Sequence, residues 1–124
     1  MEVIHIIERK DTPQIILNKA TEEFEISKKS FPEDAIAFYA PILEWLNKYA
    51  QHPNSKTVFT FKMDYFNTAS SKQIYKILSV LKIVSKTAQV EINWHYNKLD
   101  RDMLSSGERY SKLIADLKFN FLSY

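Results

Sequence analysis

Between Thr57 and Tyr96 the hydrophobic period of the chain changes twice, and this restricts the fold more than any other feature. From Thr57 to Met63, β-branched or aromatic residues alternate with polar ones, the two-residue period of a strand with one buried face. Ile74, Ile77, Leu78, Leu81 and Val84 then recur at helical spacing, and Val90, Ile92 and Trp94 alternate with Glu91, Asn93 and His95. A strand, a helix and a strand in succession predict a right-handed crossover with Thr57–Met63 parallel to Gln89–Tyr96.

The flanking segments extend this pattern. Val3–Ile7, Gln14–Leu17 after the Asp11-Thr12-Pro13 turn, and Glu23–Ser27 read as a small antiparallel set of strands. A helix is expected from Pro32-Glu33-Asp34, with proline and acids in its first turn. Ala35, Phe38, Ile42, Trp45 and Tyr49 form its apolar stripe, and His52-Pro53-Asn54 ends it. Pro41 falls inside it and predicts a kink or short break near Ala37–Ala40. Asp100 and Asp102 suit the start of a short helix that Gly107 stops near Ser106. Ser111–Leu117 reads as helix or turn, and Lys118–Leu122 as a last strand. The expected fold is one α/β domain over residues 1–124, with a mixed sheet of about five or six strands packed by two main helices and a short C-terminal helix.

Several chemistries are excluded by composition. There is no cysteine, so thiolate metal sites, disulfides and cysteine nucleophiles are ruled out. With Gly107 as the one glycine, neither a glycine-rich phosphate cradle nor a Gly-x-Ser-x-Gly elbow can be built. A formal charge of +2 gives little general attraction for nucleic acid or an anionic membrane. No signal-peptide pattern or membrane-length apolar run is present, which predicts a cytoplasmic protein. His5, His52 and His95 lack the spacing of metal ligands and read as structural or solvated histidines. No cofactor or metal is expected.

The most informative stretch is Asn67-Thr68-Ala69-Ser70-Ser71, where small polar side chains crowd a strand-to-helix junction. Such residues compete to accept the amide hydrogens left free in a first helical turn. Ser70 with Gln73 three residues on gives the capping-box signature, so the helix is expected to start at Ser70, leaving Thr68 in the preceding loop. Elsewhere, Asp100-Arg101-Asp102 reads as capping before it reads as a cation site. Lys72, Lys76, Lys82 and Lys86 read as a solvated face of the second helix before a nucleic-acid surface.

Tyr65-Phe66-Asn67-Thr68-Ala69-Ser70-Ser71 resembles the phosphorylation motif of the SiaC-type regulatory phosphoproteins. The likeness extends, in order, through Thr12-Pro13, Ser30-Phe31-Pro32-Glu33, Phe38-Tyr39-Ala40-Pro41-Ile42 with Trp45-Leu46 and Tyr49, Trp94-His95-Tyr96, and Asp100-Arg101-Asp102-Met103 with Gly107-Glu108. Two positions depart from the pattern: Ala69 stands where the family often has serine, and Ser105 where it often has an acid. The first removes an alternative hydroxyl, and the second weakens an acidic surface near Asp102.

The resemblance implies a fold like that of anti-anti-sigma factors and a place in a partner-switching circuit. A kinase would phosphorylate Thr68 and a serine/threonine phosphatase would reverse it. The unmodified form would bind a target such as a diguanylate cyclase through a surface including Tyr65, Phe66, Asp100 and Asp102. Two rivals from other classes remain at this stage: a nucleic-acid-binding module using the lysines of the second helix, and a small metal-dependent enzyme using Asp100 and Asp102 with His95.

Overall fold

A computed structural model describes residues 1–124. Three strands come first: β1 (Ile4–Ile6), β2 (Gln14–Asn18) and β3 (Glu23–Ser30). They are followed by α1 (Ala35–Gln51), β4 (Lys56–Phe66), α2 (Thr68–Val84), β5 (Gln89–Tyr96), α3 (Arg101–Leu113) and β6 (Lys118–Ser123). The strands form one sheet in sequential order, antiparallel from β1 to β3 and parallel from β3 to β6. The expected mixed α/β sheet and the parallel pairing of Thr57–Met63 with the later strand are both present. No helix is long and apolar enough to cross a membrane.

Period-two patterning explains why the sheet is covered on one side. Phe59, Phe61 and Met63 of β4 and Val90, Ile92 and Trp94 of β5 are buried, whereas Lys62, Asn93 and His95 between them are exposed or half-buried. Ile15 and Leu17 pair with Ile26 and Phe24, and Ile26 pairs with Phe61, which carries the buried face across the sheet. The apolar stripes of the helices close over that face, and α1 packs on α2. Burial of this set is the main driving force for the fold.

Three features differ from the expectation. Helix α1 begins at Ala35, with Asp34 as its N-cap accepting from the Ala37 amide at 3.0 Å, so Pro32 and Glu33 lie before the first turn. The helix is unbroken through Pro41. The bond proline cannot donate would have gone to the Ala37 carbonyl, and Ala37, Ala40 and Pro41 are all exposed, so water meets the cost. Helix α3 does not stop at Ser106. It passes through Gly107 to Leu113, and Ser111–Leu113 is its last turn.

The reason is packing. A Cβ on Gly107 would lie 2.5 Å from Trp94 Cδ1 and Nε1, so the glycine lets α3 approach the indole and is not a terminator. Its neighbours one turn away are Met103 and Tyr110, also buried. The 4,3 spacing of Met103, Gly107 and Tyr110 was the sequence signal for a continuous helix with a glycine on its inner face.

Candidate functional site at the start of the second helix

The sheet reaches this site through a bulge. Lys28 pairs with Met63 but Lys29 with Tyr65, leaving Asp64 as the extra residue of β4, while Lys28 adopts a left-handed backbone (φ 78°). One extra residue reverses which face each later side chain occupies. Phe66 therefore turns into the helix layer, its ring edge-on to Trp94 with centroids 6.2 Å apart. Tyr65 turns outward and is half exposed, beside Phe31.

Helix α2 starts immediately after β4, and its cap is Asn67. The Asn67 side-chain oxygen accepts from the Ser70 amide at 2.9 Å, and its carbonyl accepts from the Ser71 amide at 2.9 Å. The expected capping box at Ser70 is thus not formed. Asn67 wins because Ser70 is the third helical residue and its hydroxyl is used elsewhere. Thr68 is the first residue of the helix, not part of a loop. Asn67→Ala should lower stability by about 1 kcal/mol, read as a small fall in urea midpoint with unchanged slope.

The polar side chains of this junction have different roles. Ser70 is fully buried, and its Oγ lies 2.8 Å from Ser30 Oγ, which lies 2.6 Å from the Tyr39 hydroxyl. This chain links β3, α1 and α2 in the core. Burial pushes the Tyr39 hydroxyl up to about 12, so it stays neutral within the chain. Ser71 Oγ donates to the Thr68 carbonyl at 2.6 Å, while the Tyr110 hydroxyl donates to the Ser71 carbonyl at 2.7 Å and ties α3 to this first turn. Thr68 and Ala69 are exposed, and the Thr68 hydroxyl makes no hydrogen bond within the fold. Helix geometry leaves the Thr68 and Ala69 amides unused by the helix, at its positive end.

Beside this turn, Tyr65, Phe66, Asp100 and Asp102 converge on a concavity of about 270 Å³ with Asp64, Met103 and Ser106. Asp100 caps α3, accepting from the Met103 amide at 3.0 Å, and Asp102 sits exposed in its first turn. The residues read from sequence as a surface are therefore contiguous, at the carboxyl ends of the parallel strands, where open α/β sheets place their sites. Sequence reading missed Ser30, Tyr39 and Tyr110 as its supports. For Ser30 the available signal was a small polar residue at the end of an otherwise apolar-facing strand.

The rival assemblies come together only in part. A second concavity, of about 610 Å³, holds Asp64, Asp100, Asp102 and Tyr124 without His95. His95 instead projects from β5 on the sheet face away from the helices, where burial and Lys62 hold it below the ordinary imidazole range. The four lysines also separate. Lys72 and Lys76 flank α3, Lys82 pairs with Asp116 at 3.6 Å, and Lys86 lies beyond the end of α2.

A profile described as SiaC family regulatory phosphoprotein matches residues 6–124. An uncharacterised protein of Pseudomonas aeruginosa is 21% identical over 122 residues, covering 98% of this chain and 94% of its own. SiaC of Pseudomonas aeruginosa has the same fold, with a TM-score of 0.85 at 20% identity over the whole of both chains. The structure of the diguanylate cyclase SiaD in complex with its activator SiaC, from the same organism, matches with a TM-score of 0.90 at 19% identity, covering 98% of this chain and 99% of that one. With the profile spanning nearly its whole length, this chain belongs to the SiaC family of regulatory phosphoproteins.

Proposed function

We propose that the protein is a non-catalytic cytoplasmic signalling component whose binding to a target is switched by reversible phosphorylation of Thr68. The observation that carries this reading is the division of labour in the first turn of α2. Asn67 caps, Ser70 is buried, Ser71 is bonded to the backbone, and Thr68 alone offers an exposed, unbonded hydroxyl. A kinase adds the phosphate and a serine/threonine phosphatase removes it. By analogy with the activator–cyclase complex of Pseudomonas aeruginosa, the target is a protein such as a diguanylate cyclase, engaged by the unmodified form.

The physics of the switch is local. A phosphate brings about −1.5 to −2 charge to a helix N-terminus, where free amides and the dipole accommodate it, so the fold is little disturbed. On a docking surface around Tyr65 and Phe66 the added charge and its hydration oppose contact with the target, so binding is lost. The test is incubation with the cognate kinase and ATP, mapping of the modified residue by mass spectrometry, and titration of the target. Modification at Thr68 with loss of affinity is expected, and Thr68→Ala should bind the target yet resist the kinase. Phosphate mainly on another residue, or unchanged affinity after full modification of Thr68, would overturn the reading.

A further inference from the structure

Helices α2 and α3 together line a groove of about 460 Å³ beside the first turn of α2. Its apolar lining comes from Phe66, Tyr75, Tyr110 and Leu113, of which Tyr75 and Leu113 are substantially exposed. Every charged residue that lines it is basic: Lys72 and Lys76 from α2 and Arg109 from α3. None of the three is in an ion pair, unlike Lys82 further along the same helix. At its head the groove shares Phe66 and Ser106 with the concavity beside Asp102. Thr68 and Lys72 are four residues apart on α2, so they lie on one face within side-chain reach.

We propose that this groove takes an amphipathic helix from the target protein, with carboxylates flanking its apolar stripe, and that phosphate on Thr68 closes it by capturing Lys72. The closing step rests on the reading of Thr68 as the phosphosite. An apolar trough between two helices is shaped for a third helix that presents residues at i, i+3, i+4 and i+7. Basic residues from both helices select acidic over basic helices, because like charges held across a docked interface repel. A phosphothreonine one turn before Lys72 supplies charge of the same sign as the incoming carboxylate, at higher effective concentration, and adds repulsion at the mouth.

The test uses two fluorescent peptides of about 18 residues with the same leucine stripe, one carrying glutamates at the flanking positions and the other lysines. Anisotropy should show the glutamate peptide binding the unmodified protein, with affinity falling as salt rises, and the lysine peptide failing to bind. Lys72→Glu and Arg109→Glu, both exposed, should each weaken binding about tenfold, with Lys72→Ala intermediate. Equal binding of both peptides, no binding of the glutamate peptide, or indifference to both reversals would overturn the groove assignment. Protein shown by intact mass and fragment mapping to be phosphorylated on Thr68 should bind the glutamate peptide at least tenfold more weakly than unmodified protein, roughly the loss of one close charge pair. Equal affinity there would overturn the capture of Lys72 while leaving the preference for acidic helices in place. A phosphate mapped to a different residue would defeat the Thr68 reading without touching the result on unmodified protein.

Discussion

Ser70→Asp is expected to cost about 3–5 kcal/mol and to lower the melting temperature by roughly 10–20 °C, whereas Thr68→Asp, two residues earlier, should move it by only a few degrees. Ser70 is fully buried, and its hydroxyl contacts only the Ser30–Tyr39 chain. Those partners are neutral hydroxyls, and one of them already serves two neighbours. A carboxylate there would be a buried charge with no cation to meet it, which is among the costliest changes a core can suffer. Thr68 stands in water at the positive end of the same helix, where an acid is worth a few tenths of a kcal/mol in the favourable direction. Thermal unfolding followed by circular dichroism compares the two directly. Equal melting temperatures would show that the buried hydroxyl chain does not constrain this turn. The difference bears on function: loss of target binding by a Ser70→Asp protein reports damage to the core beneath this turn, so that variant is no mimic of the phosphorylated state.

Much of this architecture was legible because period-two and period-3.6 patterns have separate physical causes and the chain keeps them apart. The crossover from Thr57 to Tyr96 needed no more than that. The misreadings at Ser70 and Gly107 have a different origin: each depended on what the residue meets across the fold. Ser70 scores as a cap by spacing from Gln73, but spacing cannot show that Ser30 and Tyr39 approach from other elements and claim its hydroxyl. The bulge at Asp64, which points Tyr65 outward and Phe66 inward, leaves no local signature, since it is set by register against β3. Tyr65, Phe66, Asp100 and Asp102 were assigned together through a family resemblance. Their contiguity follows from the parallel strands, which deliver the ends of β4 and β5 to the same edge.

Gly107 gives the other large expected effect, with a sign opposite to helix propensity. In the interior of an exposed helix, glycine to alanine stabilises by about 1 kcal/mol, because alanine loses less backbone freedom on folding. Here the new methyl would sit 2.5 Å from two atoms of the Trp94 indole and 2.8 Å from a third. The indole has little room to retreat. It is fully buried, with ring centroids 5.3 Å from Phe61 and 5.6 Å from Tyr110, and its Nε1 donates to the Met103 carbonyl at 3.0 Å, one turn before Gly107. Relief therefore requires α3 to move off the sheet, which also draws Tyr110 away from the Ser71 carbonyl. Overpacking of this kind costs about 1–3 kcal/mol and occasionally more, enough to exceed the propensity gain. Gly107→Ala should be destabilised by about 2 kcal/mol net, with a fall of several degrees in melting temperature. Trp94→Phe alone should also destabilise, by opening space in the core. Combined with Gly107→Ala, however, it should cost less than the sum of the two, since the smaller ring gives the methyl room. Additive losses in that double-mutant cycle, or a stabilised Gly107→Ala, would mean that the glycine is not there for the tryptophan.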